Sequence, residues 1–336
     1  MKSFFRFLGL AFASGLLVVL TNCTQTPTAS DTSTSSPAAN SSPAETSATH
    51  SSSTHEKINI NTAILSELDK FEGELGIPAL SHKIQGSRPY ASPEELVTKK
   101  VLTQEQFDRI KEQVTVEDIV LTGEAKDIDY MTKLGLMKGH MLVAKELLDQ
   151  GKPEQAEPHI GHPVEEIYVD VEDQFQERNV PEFKTMLISV QDLVKSNPKD
   201  AKVATNFEQS MQAIDKAIEV LPEQERQSPE FVLQVVSGLL DAADAEYGAA
   251  IADGKITALI EYQDSRGFVT YADTLLNNIS QELTRENSEV QKAIADSMTK
   301  LKTAWPSAQA PSTPVLTPEE VSQLVKTIEQ NVQKVI

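Results

Sequence analysis

The stretch Phe207-Glu208-Gln209-Ser210-Met211-Gln212-Ala213-Ile214-Asp215-Lys216-Ala217-Ile218-Glu219-Val220-Leu221 decides the fold class. Its large apolar residues Phe207, Met211, Ile214, Ile218 and Leu221 step by four, three, four and three. That period gathers them on one face of an α-helix and leaves the charges on the other. Val321, Leu324, Val325, Ile328, Val332 and Val335 repeat the pattern behind Thr317-Pro318-Glu319-Glu320, a capping sequence with Pro in the first turn. Helix breaks fall at Gly151-Lys152-Pro153, Asn179-Val180-Pro181, Asn197-Pro198 and Ser228-Pro229. Six or seven helices joined by short connections describe a bundle. The expected fold is therefore mainly α, with a bundle over 126–304. A polar linker over 305–316, opening at Trp305-Pro306, then leads to a terminal helix over 317–336.

Working outward, residues 1–22 read as an export leader. Lys2 and Arg6 supply the positive end, and Leu8 to Leu20 form an apolar run. That run is shorter than the roughly 20 residues a spanning helix needs. Leu20-Thr21-Asn22-Cys23 resembles a bacterial lipobox, with Asn22 in place of the usual small residue. The resemblance implies acylation of Cys23, the single cysteine of the chain. Residues 23–55 are nearly all Ser, Thr, Pro, Ala and Asn, and they bury too little apolar surface to offset their ordering entropy. They read as a tether between a membrane lipid and the folded part, which places the protein in a bacterial cell envelope, in periplasm or lumen.

A small helical domain is expected over 56–116. Pro78 in Ile77-Pro78-Ala79, Ser92-Pro93-Glu94-Glu95 and Thr103 with Gln106 are successive helix starts, and Val116 to Leu121 is a short strand or an extended linker. Ile58-Asn59-Ile60-Asn61-Thr62-Ala63, Leu68 through Ile84, Arg88-Pro89-Tyr90-Ala91-Ser92-Pro93-Glu94-Glu95-Leu96 and Val101-Leu102-Thr103 resemble the helix-hairpin-helix domain of the competence protein ComEA and of the photosystem subunit PsbU. The resemblance covers residues 58–115 and implies a hairpin that docks DNA or protein, with Gly73, Gly76, Lys83 and Arg88 as candidate contacts. In the DNA-binding form, glycines let backbone N–H groups approach a phosphate. Here Ile77 stands where the second glycine would align, and Glu72 and Glu74 flank the turn. Residues 56–112 carry eight Lys or Arg against ten Asp or Glu. That balance disfavours nucleic acid and favours a protein partner, with a structural spacer as the plain alternative.

Three of the six histidines fall in Gly139-His140 and Pro158-His159-Ile160-Gly161-His162-Pro163-Val164-Glu165-Glu166. Intervals of three put His159, His162 and Glu165 near one helical face. Glu261 and Asp264 have the same interval in an apolar helix, and buried carboxylates need a cation or hydrogen-bond donors. Imidazoles and carboxylates meeting in a bundle core hold divalent transition metals. The candidate ligands are His140, His159, His162, Glu166, Glu261 and Asp264. The alternative is a structural network, with His162 as a cap, Glu165 and Glu166 facing a helix dipole, and Glu261 paired with Arg266. Gly161 to Glu165 is similar to the Gly-x-His-x-x-Glu of imelysin-like exported helical proteins, with the glycine one residue closer, and is too short to assign a family.

The net charge of −20 repels anionic lipid and bulk nucleic acid and suits a cation or a basic partner. Losing Lys2 and Arg6 with the leader makes it −22. No Gly-x-Ser-x-Gly elbow, phosphate loop or His-Glu-x-x-His helix occurs, so no catalytic activity is expected. Three readings follow. One is a non-enzymatic envelope lipoprotein that docks a protein partner, one a DNA-uptake module, and one a protein that binds a divalent transition metal.

Overall fold

The computed structural model describes residues 57–117 and 121–336. The leader, Cys23 and the tether lie outside them. The described residues are mainly helical. Ile58–Asn59 (β1) runs parallel to Val114–Thr115 (β2) and closes a small unit holding Leu65–Leu75 (α1), Leu80–Gly86 (α2), Glu95–Thr98 (α3) and Gln104–Ile110 (α4). Its core is Ile60, Leu68, Phe71, Leu80, Ile84, Leu96, Phe107 and Ile110. Thr103 caps α4 as its sequence requires, the hydroxyl accepting from Gln106 N at 3.3 Å. Helix α2 begins two residues later than Pro78 suggests, because Ala79 takes a left-handed conformation (φ 55°).

The larger part comprises Glu124–Asp149 (α5), Pro153–His162 (α6), a π-helical turn at Pro163–Ile167, Tyr168–Glu177 (α7), Lys184–Ser196 (α8), Lys202–Ile218 (α9), Glu223–Gln227 (α10), Pro229–Ala250 (α11), Leu259–Leu301 (α12) and Pro318–Val332 (α13). Ile251–Ala252 (β3) and Lys255–Ile256 (β4) form a hairpin between α11 and α12. The expected breaks all fall between helices. Phe207, Ile214, Ile218 and Leu221 are buried with Val321, Val325, Ile328 and Val332 in one continuous core.

Helix α12 is broken at Asn287, whose φ of −151° and ψ of 85° are not helical. Its side-chain oxygen accepts from Val290 N at 3.1 Å and caps the second half. The halves run antiparallel, with Lys302 Nζ 2.7 Å from Asp273 Oδ2. α11, the two halves of α12, and α13 thus make a four-helix bundle. Residues 305–316 fold back onto it. Trp305 is buried and donates from Nε1 to Ser265 Oγ at 2.7 Å, and Ala308 N donates to Glu146 Oε1 at 3.1 Å. No described helix is long and apolar enough to cross a membrane.

Candidate metal centre

The site begins with two glycines. α5 and α12 cross so closely that a Cβ on Gly267 would lie 2.2 Å from Gly139 O, and one on Gly139 would lie 2.5 Å from Phe268 Cδ1. No larger residue permits that approach. His140 follows Gly139, and Asp264 stands one turn before Gly267, so the crossing delivers an imidazole to a carboxylate. His140 Nδ1 lies 2.6 Å from Asp264 Oδ1, and the ring packs edge-on against Phe268 at 4.9 Å.

The last turn of α6 adds two more imidazoles. His159 Nδ1 lies 2.7 Å from the same Asp264 Oδ1. His162 Nδ1 lies 3.1 Å from Asp264 Oδ2 without the alignment of a hydrogen bond. One donor atom each from His140, His159, His162 and Asp264 falls within a 4.8 Å set. His140 and His159 are wholly buried, and Asp264 is 2% exposed. The π-helical turn after His162 aims Glu166 at the same place. Glu166 Oε2 is 3.9 Å from His140 Nε2, and Oε1 is 3.6 Å from His162 Nδ1. Neither imidazole nitrogen has a hydrogen-bond partner.

Protonation follows from burial and from these neighbours. Burial raises the Asp264 carboxyl, but His140, His159 and His162 together outweigh it and hold the group well below the usual carboxylate range. Burial favours neutral His162, yet Asp264 and Glu166 overcome it and hold the ring up to about 10. His140 is lowered, because burial exceeds the pull of Asp264. Burial, with Asp264 and Glu165 adding to it, lifts Glu166 to about 7.

A second layer fixes the tautomer of His159. Gln263 Nε2 donates to Ala308 O at 2.9 Å and to Gln155 Oε1 at 3.1 Å, so the amide oxygen must face the ring. That oxygen lies 2.9 Å from His159 Nε2, which therefore carries the hydrogen. In the neutral ring, Nδ1 then presents a lone pair to Asp264 Oδ1. Two electron pairs at 2.7 Å repel unless a proton or a metal ion lies between them.

Four of the six candidate ligands thus converge, and Glu166 stands at their edge. Glu261 is half-buried on α12 one turn before Asp264 and falls outside the converging set. Arg266 pairs with Glu146, at 2.8 Å, instead of Glu261. Gln263, Gln155, Ala308 and Gly267 were not legible as site residues. Gln263 does lie inside the Glu261–Asp264 interval, and Ala308 falls in a stretch whose composition reads as linker.

Residues 222–336 match the family model of the iron permease-associated 4-helix bundle domain. The match takes in α10 to α13, and with them Asp264, Gln263 and Ala308. The three histidines and Glu166 come from the preceding helices. No curated protein matches the chain, and no solved structure does.

This finding corrects the hairpin expectation, since the matched family is the bundle domain and not a ComEA-type hairpin. The geometry gives physical reasons. The Glu72 carboxylate accepts from Ala79 N and Ser81 N, both at 2.9 Å, and so takes the backbone donors that a phosphate would need. Gly73 is packed against α11, where its Cβ would lie 3.4 Å from Gly248 C. Gly76 is a left-handed helix cap (φ 66°). Arg88 is spent on Ile60 O at 2.7 Å and Ala63 O at 2.5 Å, and Lys83 alone of the four is exposed side-chain charge.

Proposed function

We propose that the protein binds a divalent first-row transition metal at His140, His159, His162 and Asp264, with Glu166 as an additional ligand, and that its work is metal handling without catalysis. The observation that supports this reading most is the buried Asp264 carboxylate with three imidazole nitrogens within 3.1 Å. Transition-metal bonds of about 2.0–2.2 Å leave neighbouring donor atoms roughly 3–4 Å apart, which is the spacing of His162 from Asp264 and from Glu166, and of His140 from Glu166. The similarity of 222–336 to an iron permease-associated domain favours iron as the cargo. In this reading Cys23 carries a lipid that holds the domain at an envelope membrane, where it meets a protein partner.

Anaerobic titration of the full chain with Fe²⁺, and with Co²⁺ as a visible probe, tests the proposal. One equivalent should bind, with the absorption bands of nitrogen-ligated cobalt. His162→Ala should remove those bands and leave helical content unchanged. Unaltered cobalt binding in His162→Ala would contradict it.

A further inference from the structure

A cleft of about 550 Å³ opens where β1 and the start of α1 meet α5 and α7. None of its lining residues belongs to the imidazole centre. Sites for small organic molecules have volumes of roughly 300–1,000 Å³. Ile58, Leu121 and the exposed Val169 give the walls some apolar surface. The charges are of both signs, with Lys57, Lys126 and Lys133 lining the same cleft as Glu67, Asp129 and Asp170. A molecule that itself carries both signs gains from each set.

Most of these charges already have partners. Lys133 Nζ lies 3.0 Å from Asp129 Oδ1, and Lys126 pairs with Glu177. Glu67 accepts from Ile64 N at 2.9 Å as part of the α1 cap. Two charges have none. Among the described residues Asp170 receives no hydrogen bond and forms no ion pair, and the exposed Lys57 ammonium pairs with no carboxylate. Burial lifts the Asp170 carboxyl to about 6, against the pull of Lys133 and Arg88.

One turn further along α7, Gln174 adds a neutral acceptor beside Asp170. It is 8% exposed, and its Nε2 donates to Asp129 Oδ2 at 2.8 Å. A carboxylate only accepts, so this bond fixes the amide and leaves Oε1 as the acceptor. That oxygen is buried and has no donor. A buried polar atom without a partner costs free energy that a bound donor recovers.

We propose that this cleft is a second binding site, for a small organic zwitterion of dipeptide size, whose ammonium group bonds to Asp170 and the Gln174 amide oxygen and whose carboxylate pairs with Lys57. An ammonium group carries three donors, enough for both acceptors. Its bond to a carboxylate is roughly twice as strong as a bond between neutral groups.

Isothermal titration of the full chain with alanyl-leucine tests this. Saturable binding at a single site is expected. N-acetyl-alanyl-leucine, which lacks the ammonium group, should bind about tenfold or more weakly, and so should alanyl-leucinamide, which lacks the carboxylate. Asp170→Asn should weaken alanyl-leucine by a similar factor and keep the helical circular dichroism. Lys57→Ala should weaken alanyl-leucine and leave the affinity for alanyl-leucinamide unchanged. His162→Ala should lose the cobalt bands and keep dipeptide binding, so failure of one site is distinguishable from failure of the other. No saturable binding of alanyl-leucine, or binding unchanged by N-acetylation or by Asp170→Asn, would overturn the proposal and leave a cleft that holds water alone.

Discussion

Gln263 is the residue through which the rest of the site acts on His159. Its amide is held by Ala308 O and Gln155, and it hands His159 a single tautomer with Nδ1 toward Asp264. Outer partners of this kind are typically worth about 10–100-fold in metal affinity. Gln263→Leu should therefore weaken cobalt binding by about that factor, read by competition with a chelator, while the circular dichroism of the helices stays the same. Protons compete at the same residues. Metal-free His162 holds its proton up to about 10, and Glu166 up to about 7, so binding a cation must displace at least one proton. Affinity should rise about tenfold per pH unit from pH 7 to 9, and more steeply below 7. Stability follows from the same sign. The raised His162 stabilises the metal-free fold fully below its ordinary value of 6.5, and that contribution is lost as pH rises through about 10. Thermal melts across pH 7–10 should show the metal-free protein losing this increment. His162→Gln should lack it. At this scale the sequence was informative for charged groups alone. His140, His159, His162 and Asp264 stood out as polar residues in apolar helices, whereas Gln263 has no spacing or charge that marks a second-layer role.

Helix α12 carries the most consequence among the elements. Its Gly267 meets Gly139 of α5 at a distance that a Cβ would violate at 2.2 Å, against backbone and not a movable side chain. Gly267→Ala should force the helices apart at an overpacking cost of about 1–3 kcal/mol. It should also draw Asp264 away from His140, weakening metal binding together with the melting temperature. Chemical denaturation and cobalt titration of this variant check both. Helix existence was legible from period and caps, and Thr317 with Glu320 caps α13 as read, the hydroxyl accepting at 3.2 Å. The break at Asn287 was not legible, since nothing in Arg285-Glu286-Asn287-Ser288 resembles the Pro and Gly punctuation that marked the other breaks. The π-helical turn was equally hidden. It begins at Pro163, which also looks like an ordinary helix start, and it brings Glu166 to the histidines.

Across the whole molecule, the bundle matched over 222–336 contributes the carboxylate and the outer layer, and α5 and α6 contribute the imidazoles. The site thus requires contacts far apart in the chain, 124 residues between His140 and Asp264. Sequence periodicity reports which face of a helix is apolar but not which helices become neighbours. That is why the candidate ligands could be named before the fold, and a meeting of several of them expected, while which four meet could not be told. The hairpin resemblance failed at this scale too. Local signals in 58–115 marked short helices that form, with only the Thr103 cap as expected, while Glu72 occupying the donors at the start of α2 and Gly73 meeting α11 are contacts that only the folded chain reveals.

The central claim is that the three imidazoles and Asp264 hold one metal ion, and anomalous diffraction at the iron edge from crystals of the iron-loaded full chain tests it most directly. The account predicts a peak about 2.0–2.2 Å from donor atoms of His140, His159, His162 and Asp264. Peaks confined to surface carboxylates, with those four residues bonded only to one another, would contradict it.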